Sequence, residues 1–208
     1  MGQEVISHNE VNKMQDILQI MIQVMLGIAL AAVCGYRIFV PLLAMGIAGM
    51  AGYMQFSEGF AWISSWPAVL VFGIATILEL AAYFIPHIDN ILNAIALPAG
   101  AVAGVIVAAS VISDVDPMLK WSLAIIAGGG AATLTGLLSN GVHHLSTAVS
   151  AGFANPVVSA AESAGTVAAS ALSIAMPVAG AAVLVLVITV SVVIFLRIRK
   201  KRKKATVE

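Results

Sequence analysis

The sequence predicts an all-α fold, a polytopic helical membrane protein of about seven spans. Three observations carry this. Hydrophobic residues make up 61% of the 208-residue chain and charged residues 10%, with a mean hydropathy of +1.03. Soluble domains carry about a quarter charged residues, so this chain has too few to cover a solvated surface. Its charge-free runs reach the roughly 20 residues that a helix needs to cross hydrocarbon. No run alternates apolar and polar residues with the period of two that a membrane barrel requires. A soluble enzyme, a disordered chain and a secreted disulfide scaffold are excluded. The single cysteine, Cys34, makes neither an internal disulfide nor a cysteine-rich metal site.

The elements follow from where charges and helix breakers fall. Residues 1–16 form a polar segment with Glu4, Glu10 and Asp16 against Lys13. It is too long and acidic for a secretory signal, and Ile6 spoils a myristoylation motif. Ile17–Tyr36 is the first apolar run, ended by Arg37, and Ile38–Ser57 is the second. Gly35-Tyr36-Arg37 and Pro41 predict short helices meeting at a break. Pro67–Ile85 is apolar except for Glu79, and Ile91–Ser113 carries no charge. The turns Pro86–Asn90 and Asp114–Pro117 separate these runs. Gly128-Gly129-Gly130 predicts a weakened or kinked helix, and Asn140–Ser150 reads as a half-helix or an interfacial piece. Asn155 suits a helix cap and Pro156 the first turn. Pro177 divides the last apolar run. The count is seven spans, with six and eight left open. Residues 17–196 form one transmembrane domain, and 197–208 a basic tail.

Seven of the ten Lys/Arg residues lie in Arg197–Lys204. Positive residues flanking a span stay in the cytoplasm, which places the C-terminus there and seven spans' N-terminus outside. Trp62 and Trp66 read as interface anchors. An internal duplication, 17–113 and 118–196, is suggested by recurring features. In each half a glycine break precedes a proline-started helix with one glutamate, Glu79 or Glu162, then another proline. Duplicated halves with broken helices recur in transporters.

Few residues can carry chemistry. Arg37 lies between apolar runs, where a charge is expensive. It binds an anionic group of a substrate, or pairs with Glu79 or Glu162, or it snorkels to the interface. Glu79 and Glu162 sit inside their helices as proton carriers or ion-pair partners. Asn155 opens a helix whose free N–H groups could face a solute, or it is a simple cap. Weaker candidates are Asp89, Asp114 and Asp116. The last two share a turn and are too few oxygen ligands for a cation site. His143 and His144 point about 100° apart on a helix and make no two-ligand metal face. Ser139 and His143 are spaced by four, with no acid partner in sequence reach. Gly46, Gly49, Ala161 and Gly165 are expected at close helix contacts.

Cys34-Gly-Tyr-Arg-Ile-Phe-Val-Pro-Leu-Leu43, Trp66-Pro67 with Glu79, Ile85-Pro-His-Ile-Asp-Asn90, Asp114-Val-Asp-Pro117 and Asn155-Pro-Val-Val-Ser159 with Glu162 occur in one order. The set resembles a small bacterial integral-membrane family filed as domain of unknown function 4126, over about Gly27 to Ala182. The resemblance implies a bacterial inner membrane protein and no established activity. Cys34 stands where a small residue such as serine is expected. Glu162 is followed by Ser163 rather than by a second acid.

The expected function is a small transporter or channel-like permease built on Arg37, Glu79, Asn155 and Glu162. The alternative is a structural or accessory protein in which the same groups lock helices together. No nucleophile or metal pair points to an enzyme. No cofactor and no nucleic acid partner are expected. The partners are the lipid bilayer and a small polar or anionic solute, with a homo-oligomer left open.

Overall fold

The computed structural model describes residues 2–82, 86–150, 153, 155–183, 185, 186, 188, 189 and 193, with the backbone alone at 2–9, 86–94, 148 and 149. Among the described residues every regular element is helical. α1 spans Gly2–Cys34, α2 Phe39–Met50, α3 Trp66–Ala82 and α4 Pro86–Val111. α5 spans Pro117–Leu123, α6 Gly130–Ser150 and α7 Asn155–Ala175. A short 3-10 turn, Ala61–Ser64, precedes α3, and residues 177–183 are helical beyond Met176.

Three stretches are long and apolar enough to cross a membrane: Glu10–Cys34, Pro117–Thr147 and Asn155–Ala175. Three shorter apolar helices lie at Phe39–Met50, Trp66–Ala82 and Ile95–Val111. The run expected as one span over Ile38–Ser57 holds a helix of only 12 residues. At 1.5 Å per residue it rises about 18 Å, short of a hydrocarbon core about 30 Å thick. Tyr53 N–H donates to the Ala48 carbonyl as the helix unwinds, and Gly52 and Gly59 adopt positive φ in the loop that follows. The polar stretch 1–16 is not set apart by a break, because α1 is continuous from Gly2.

Gly128-Gly129-Gly130, expected to weaken or kink the helix, fall at the end of an irregular turn. The chain passes through Ala124–Gly129 as a π segment and continues as α6. One residue too many in a turn is accommodated this way. Asn140–Ser150, expected as a half-helix or an interfacial piece, is the continuous second half of α6.

The core is a seam where α1, α4 and α6 meet through small residues. Gly27, Ala31 and Gly35 recur every fourth residue on α1 and its end; Gly100, Gly104 and Ala108 do so on α4; Gly128, Ala132 and Gly136 do so on the third helix. A methyl group at Gly104 would lie 2.6 Å from Ala132 Cβ and 3.0 Å from the Gly128 carbonyl oxygen. A methyl at Gly35 would collide with Thr135 Oγ1 and the Ala132 carbonyl. Only bare backbone permits that approach, and in lipid such packing is a main attraction between helices. Polar ties close both ends. Gln23 exchanges two 2.8 Å hydrogen bonds with Ser113, joining α1 to the end of α4. Thr135 Oγ1 donates to the Ala32 carbonyl at 2.6 Å, where α1 runs out of intrahelical partners.

Gly46 and Gly49 pack closely, against Val69 and Ile63 and against Phe56 and Ser64. Gly165 does not: a Cβ there meets nothing within 4 Å. Gly165 and Ala161 face a groove rather than a helix.

Candidate functional site

The turn between α1 and α2 delivers Arg37 to the interior. α1 ends at Cys34, and Tyr36 and Arg37 N–H groups still bond to the Val33 carbonyl. A cation suits this end of a helix, where the peptide dipoles leave partial negative charge. Arg37 is 1% exposed. Its Nε donates to Ser163 Oγ at 3.1 Å and its Nη2 to the Ser159 carbonyl at 3.1 Å. Nη2 also lies 4.0 Å from Glu162 Oε2. The snorkelling alternative does not describe this residue, which is held inside by α7.

Glu79 reaches the same turn from α3. Its two carboxylate oxygens accept the N–H groups of Ile38 at 2.7 Å and Phe39 at 3.1 Å. These open α2, whose own first residues offer no side-chain cap. A carboxylate placed on free N–H groups at a helix start is favoured by both hydrogen bonding and the dipole. Through Ile38 and Phe39, Glu79 holds the turn that carries Arg37.

Glu162 is the centre of a second set of contacts. Ser139 Oγ donates to Oε1 at 2.9 Å, and His143 Nε2 stands 3.1 Å from Oε2. Ser139 and His143 lie one turn apart on α6, so both reach α7 from one face. The acid partner that the sequence lacked nearby is thus supplied by α7. Hydroxyl and imidazole both address the carboxylate, so the order of a nucleophile–base–acid relay is absent among these three. Ser163 provides the oxygen that Arg37 Nε binds.

Arg37, Glu79 and Glu162 therefore converge from three helices or helix ends. Asn155 joins a different partner, its amide donating to Thr147 Oγ1 at 3.0 Å. Asp114 accepts from Ser113 Oγ at 2.9 Å in a turn of positive φ, and Asp116 caps α5 by accepting from Met118 and Leu119 N–H groups. The Asp89 side chain lies outside the described residues. Ser139 and His143 were marked in the sequence by their spacing of four and set aside for want of an acid; Glu162 is that acid. Among the described residues, no three His, Cys, Asp or Glu side chains are grouped to hold a metal ion.

Two grooves flank the convergence, and each has one carboxylate in its wall. The first, of about 600 Å³, runs beside α7 and is lined by Val33, Tyr36, Leu138, Val142, Glu162 and Gly165 among others. The second, of about 540 Å³, lies beside α3 and includes Ile38, Phe39, Leu78, Glu79 and Ile95. Both fall within the size of small-molecule sites, and both walls are otherwise almost wholly apolar. Arg37 lines neither.

The model of the family described as domain of unknown function (DUF4126) matches residues 24–197. The chain belongs to the DUF4126 family. No curated protein and no solved structure matches it. The match takes in the whole convergence, from Gln23's neighbour Val24 through Arg37, Glu79, His143 and Glu162. The DUF4126 family carries no assigned activity, so the reading of the site rests on its own geometry.

Proposed function

We propose that this DUF4126 protein is a small membrane permease whose solutes reach Glu162 along the groove beside α7. The observation that carries the reading is a carboxylate, 12% exposed, in the wall of an otherwise apolar groove of about 600 Å³. An ionisable group kept in such surroundings is costly unless it has a task. The charge on the wall is negative, and the one buried cation beside it, Arg37, is turned toward α7 backbone and hydroxyl groups. This favours a small solute with an apolar body and a positive charge over an anionic one. Arg37 acts as a positioning residue that holds α7 against the α1–α2 turn. The recurring order of broken helix, proline-started helix and glutamate fits a duplicated permease. The basic tail, 197–208, lies outside the described residues and fits a cytoplasmic C-terminus in a bacterial inner membrane.

The test is the initial rate of uptake of radiolabelled tetraethylammonium, which crosses a protein-free bilayer slowly, into proteoliposomes under an imposed potential. Uptake above empty liposomes that is lost in Glu162→Gln supports the reading. A folded, reconstituted protein that takes up no more than empty liposomes overturns it.

One observation favours the second reading, an internal lock: Arg37 is 1% exposed and its guanidinium is bonded to α7. The two readings part at the variant that combines Arg37→Ala with Glu162→Gln. A lock replaced by neutral groups leaves function intact, whereas a permease so altered folds and does not transport.

A further inference from the structure

α6 and α7 face each other through polar residues. On α6 these are Ser139, His143 and Ser146, spaced by four and three; on α7 they are Asn155, Ser159 and Glu162, spaced likewise. Such spacing puts each set on one side of its helix. Two groups of contacts cross between the helices and set their register. Where α6 ends and α7 begins, the Asn155 amide donates to Thr147 Oγ1 at 3.0 Å. Two turns further along α7, Glu162 accepts from Ser139 Oγ at 2.9 Å and stands 3.1 Å from His143 Nε2. Over the interval between them α7 rises about 10 Å.

Three polar atoms in that interval are shut from the surface and have no hydrogen-bond partner: Asn155 Oδ1, Ser159 Oγ and Ser146 Oγ. Ser159 is 3% exposed. Three residues back from Glu162 on α7 and three on from His143 along α6 lead to Ser159 and Ser146, so in this antiparallel pair the two hydroxyls face each other. The next buried hydroxyls of α7 are satisfied within the helix: Thr166 Oγ1 donates to the Glu162 carbonyl at 2.6 Å and Ser170 Oγ to the Thr166 carbonyl at 2.8 Å. Ser159 makes no such bond. Buried polar atoms in folded proteins find partners, and where no protein group serves, water does. The room exists, because α6 and α7 touch far less extensively than α1 and α4.

We propose that a short file of water runs between α6 and α7 from Asn155 to Glu162, held by Asn155 Oδ1, Ser146 Oγ and Ser159 Oγ. About three molecules at hydrogen-bond spacing fill the interval. Each meets the two or more polar partners that a buried water needs: the amide oxygen at one end, the two hydroxyls in the middle, the carboxylate at the other. Water fits better than a cation, because Arg37 Nη2 donates to the Ser159 carbonyl at 3.1 Å and already places a positive charge at that level. The file opens beside Thr147, which is exposed. Glu162 thus stands between a hydrated seam and an almost wholly apolar groove, and its charge is solvated without water having to enter the groove. The inference goes beyond the permease reading, since it concerns what fills the seam and not what passes along the groove.

Water-edited solid-state NMR of the full chain in lipid bilayers tests it. Transfer of water magnetisation to the Ser146 and Ser159 amides should be about tenfold faster or more than to the Ser170 amide, because it falls steeply beyond hydrogen-bond distance. Ser170 is as buried as Ser159 but its hydroxyl is bonded within the helix, so it reports a dry site. Ser159→Val fills the seam with methyl groups and should lower the transfer at Ser146 and Glu162, on both helices. Transfer at Ser159 no faster than at Ser170 overturns the proposal, and so does transfer at Ser146 that Ser159→Val leaves unchanged. Should that variant fail to fold, the wild-type comparison decides alone. Fast transfer at Ser159 upholds the file even where no tetraethylammonium is taken up. Uptake with a dry Ser159 upholds the permease and overturns the file.

Discussion

The α1–α4–α6 seam and the groove beside α7 are both walled by small residues, and smallness serves opposite ends in them. In the seam, glycine brings backbone onto backbone, with a would-be methyl at Gly104 only 2.6 Å from Ala132 Cβ. Beside α7, Gly165 has nothing within 4 Å of its missing methyl, and the room it leaves belongs to the groove. The buried hydroxyls of α7, Thr166 and Ser170, return their protons to carbonyls four residues back. The seam is rigid because its surfaces touch; the α7 side has polar groups and space instead. The charged centre, Arg37, sits where the two regions join.

Variants that exchange properties between the two regions sharpen this contrast. The largest expected effect is at the junction. Arg37→Ala leaves Glu162 without its cation and should lower stability by about 3–5 kcal/mol, as broken buried pairs do. Adding Glu162→Gln should recover a good part of that loss, which thermal unfolding of the single and double variants in detergent measures. Equal stability of the two would show that Arg37 acts through Ser159 and Ser163 alone.

Next come the seam glycines. Gly35→Ala and Gly104→Ala should each cost about 1–3 kcal/mol or more, because the obstacles include backbone atoms that cannot rotate away. Melting temperature and monodispersity in detergent give the readout. A seam that accepts both without loss is not the tight contact described.

A smaller effect is expected at Glu79. Glu79→Ala removes both acceptors from the N–H groups that open α2 and should cost about 1 kcal/mol, the usual scale of a lost cap. Glu79→Gln retains one acceptor and should cost less. Amide exchange at Ile38 and Phe39 should quicken in the alanine variant first.

The smallest effect on stability belongs to Gly165. Gly165→Ala should stay within about 0.5 kcal/mol of the parent, as substitutions into open space do. Gly165→Leu should fold equally well while narrowing the groove and reducing tetraethylammonium uptake. A clear loss of melting temperature in Gly165→Ala would place α7 against another helix.

The helical class was legible because it depends on composition and run length, which a single sequence states outright. So were three of the places where the chain turns: Gly35–Arg37, Asp114–Pro117 and Pro177 separate helices, whereas Pro86–Asn90, expected as a turn, is the first part of α4. Arg37 and the two glutamates stood out because charge in an apolar run is rare. What could not be read was which small residues touch. Gly104 and Gly165 have similar alanine-rich neighbours, and only the partner helix distinguishes them. The same applies to Glu162, whose imidazole and hydroxyl partners lie on α6 and become neighbours through folding. Asp116 resembled a ligand because capping and cation binding both call for an exposed carboxylate. A short helix was legible within Ile38–Ser57, but not its end, because hydropathy continues past Met50, where the backbone has already turned away.

The π segment at Ala124–Gly129 carries a consequence for insertions and deletions. A π turn is an α-helix holding one surplus residue, so removing a single residue there, for example Ile126, can be absorbed by tightening the turn. The helix would remain, and its two halves would keep their present faces, because the wider turn holds the surplus residue within one rotation. α6 would stay fixed by Ala132 and Gly136 in the seam, and Lys120 would stay with Ser57 and the Phe60 ring, which it meets at 2.7 Å and 5.1 Å. A one-residue deletion there would thus be silent in helix content and in the loop 51–60, whereas the same deletion in the regular part of α6 would swing the residues beyond it by about 100°.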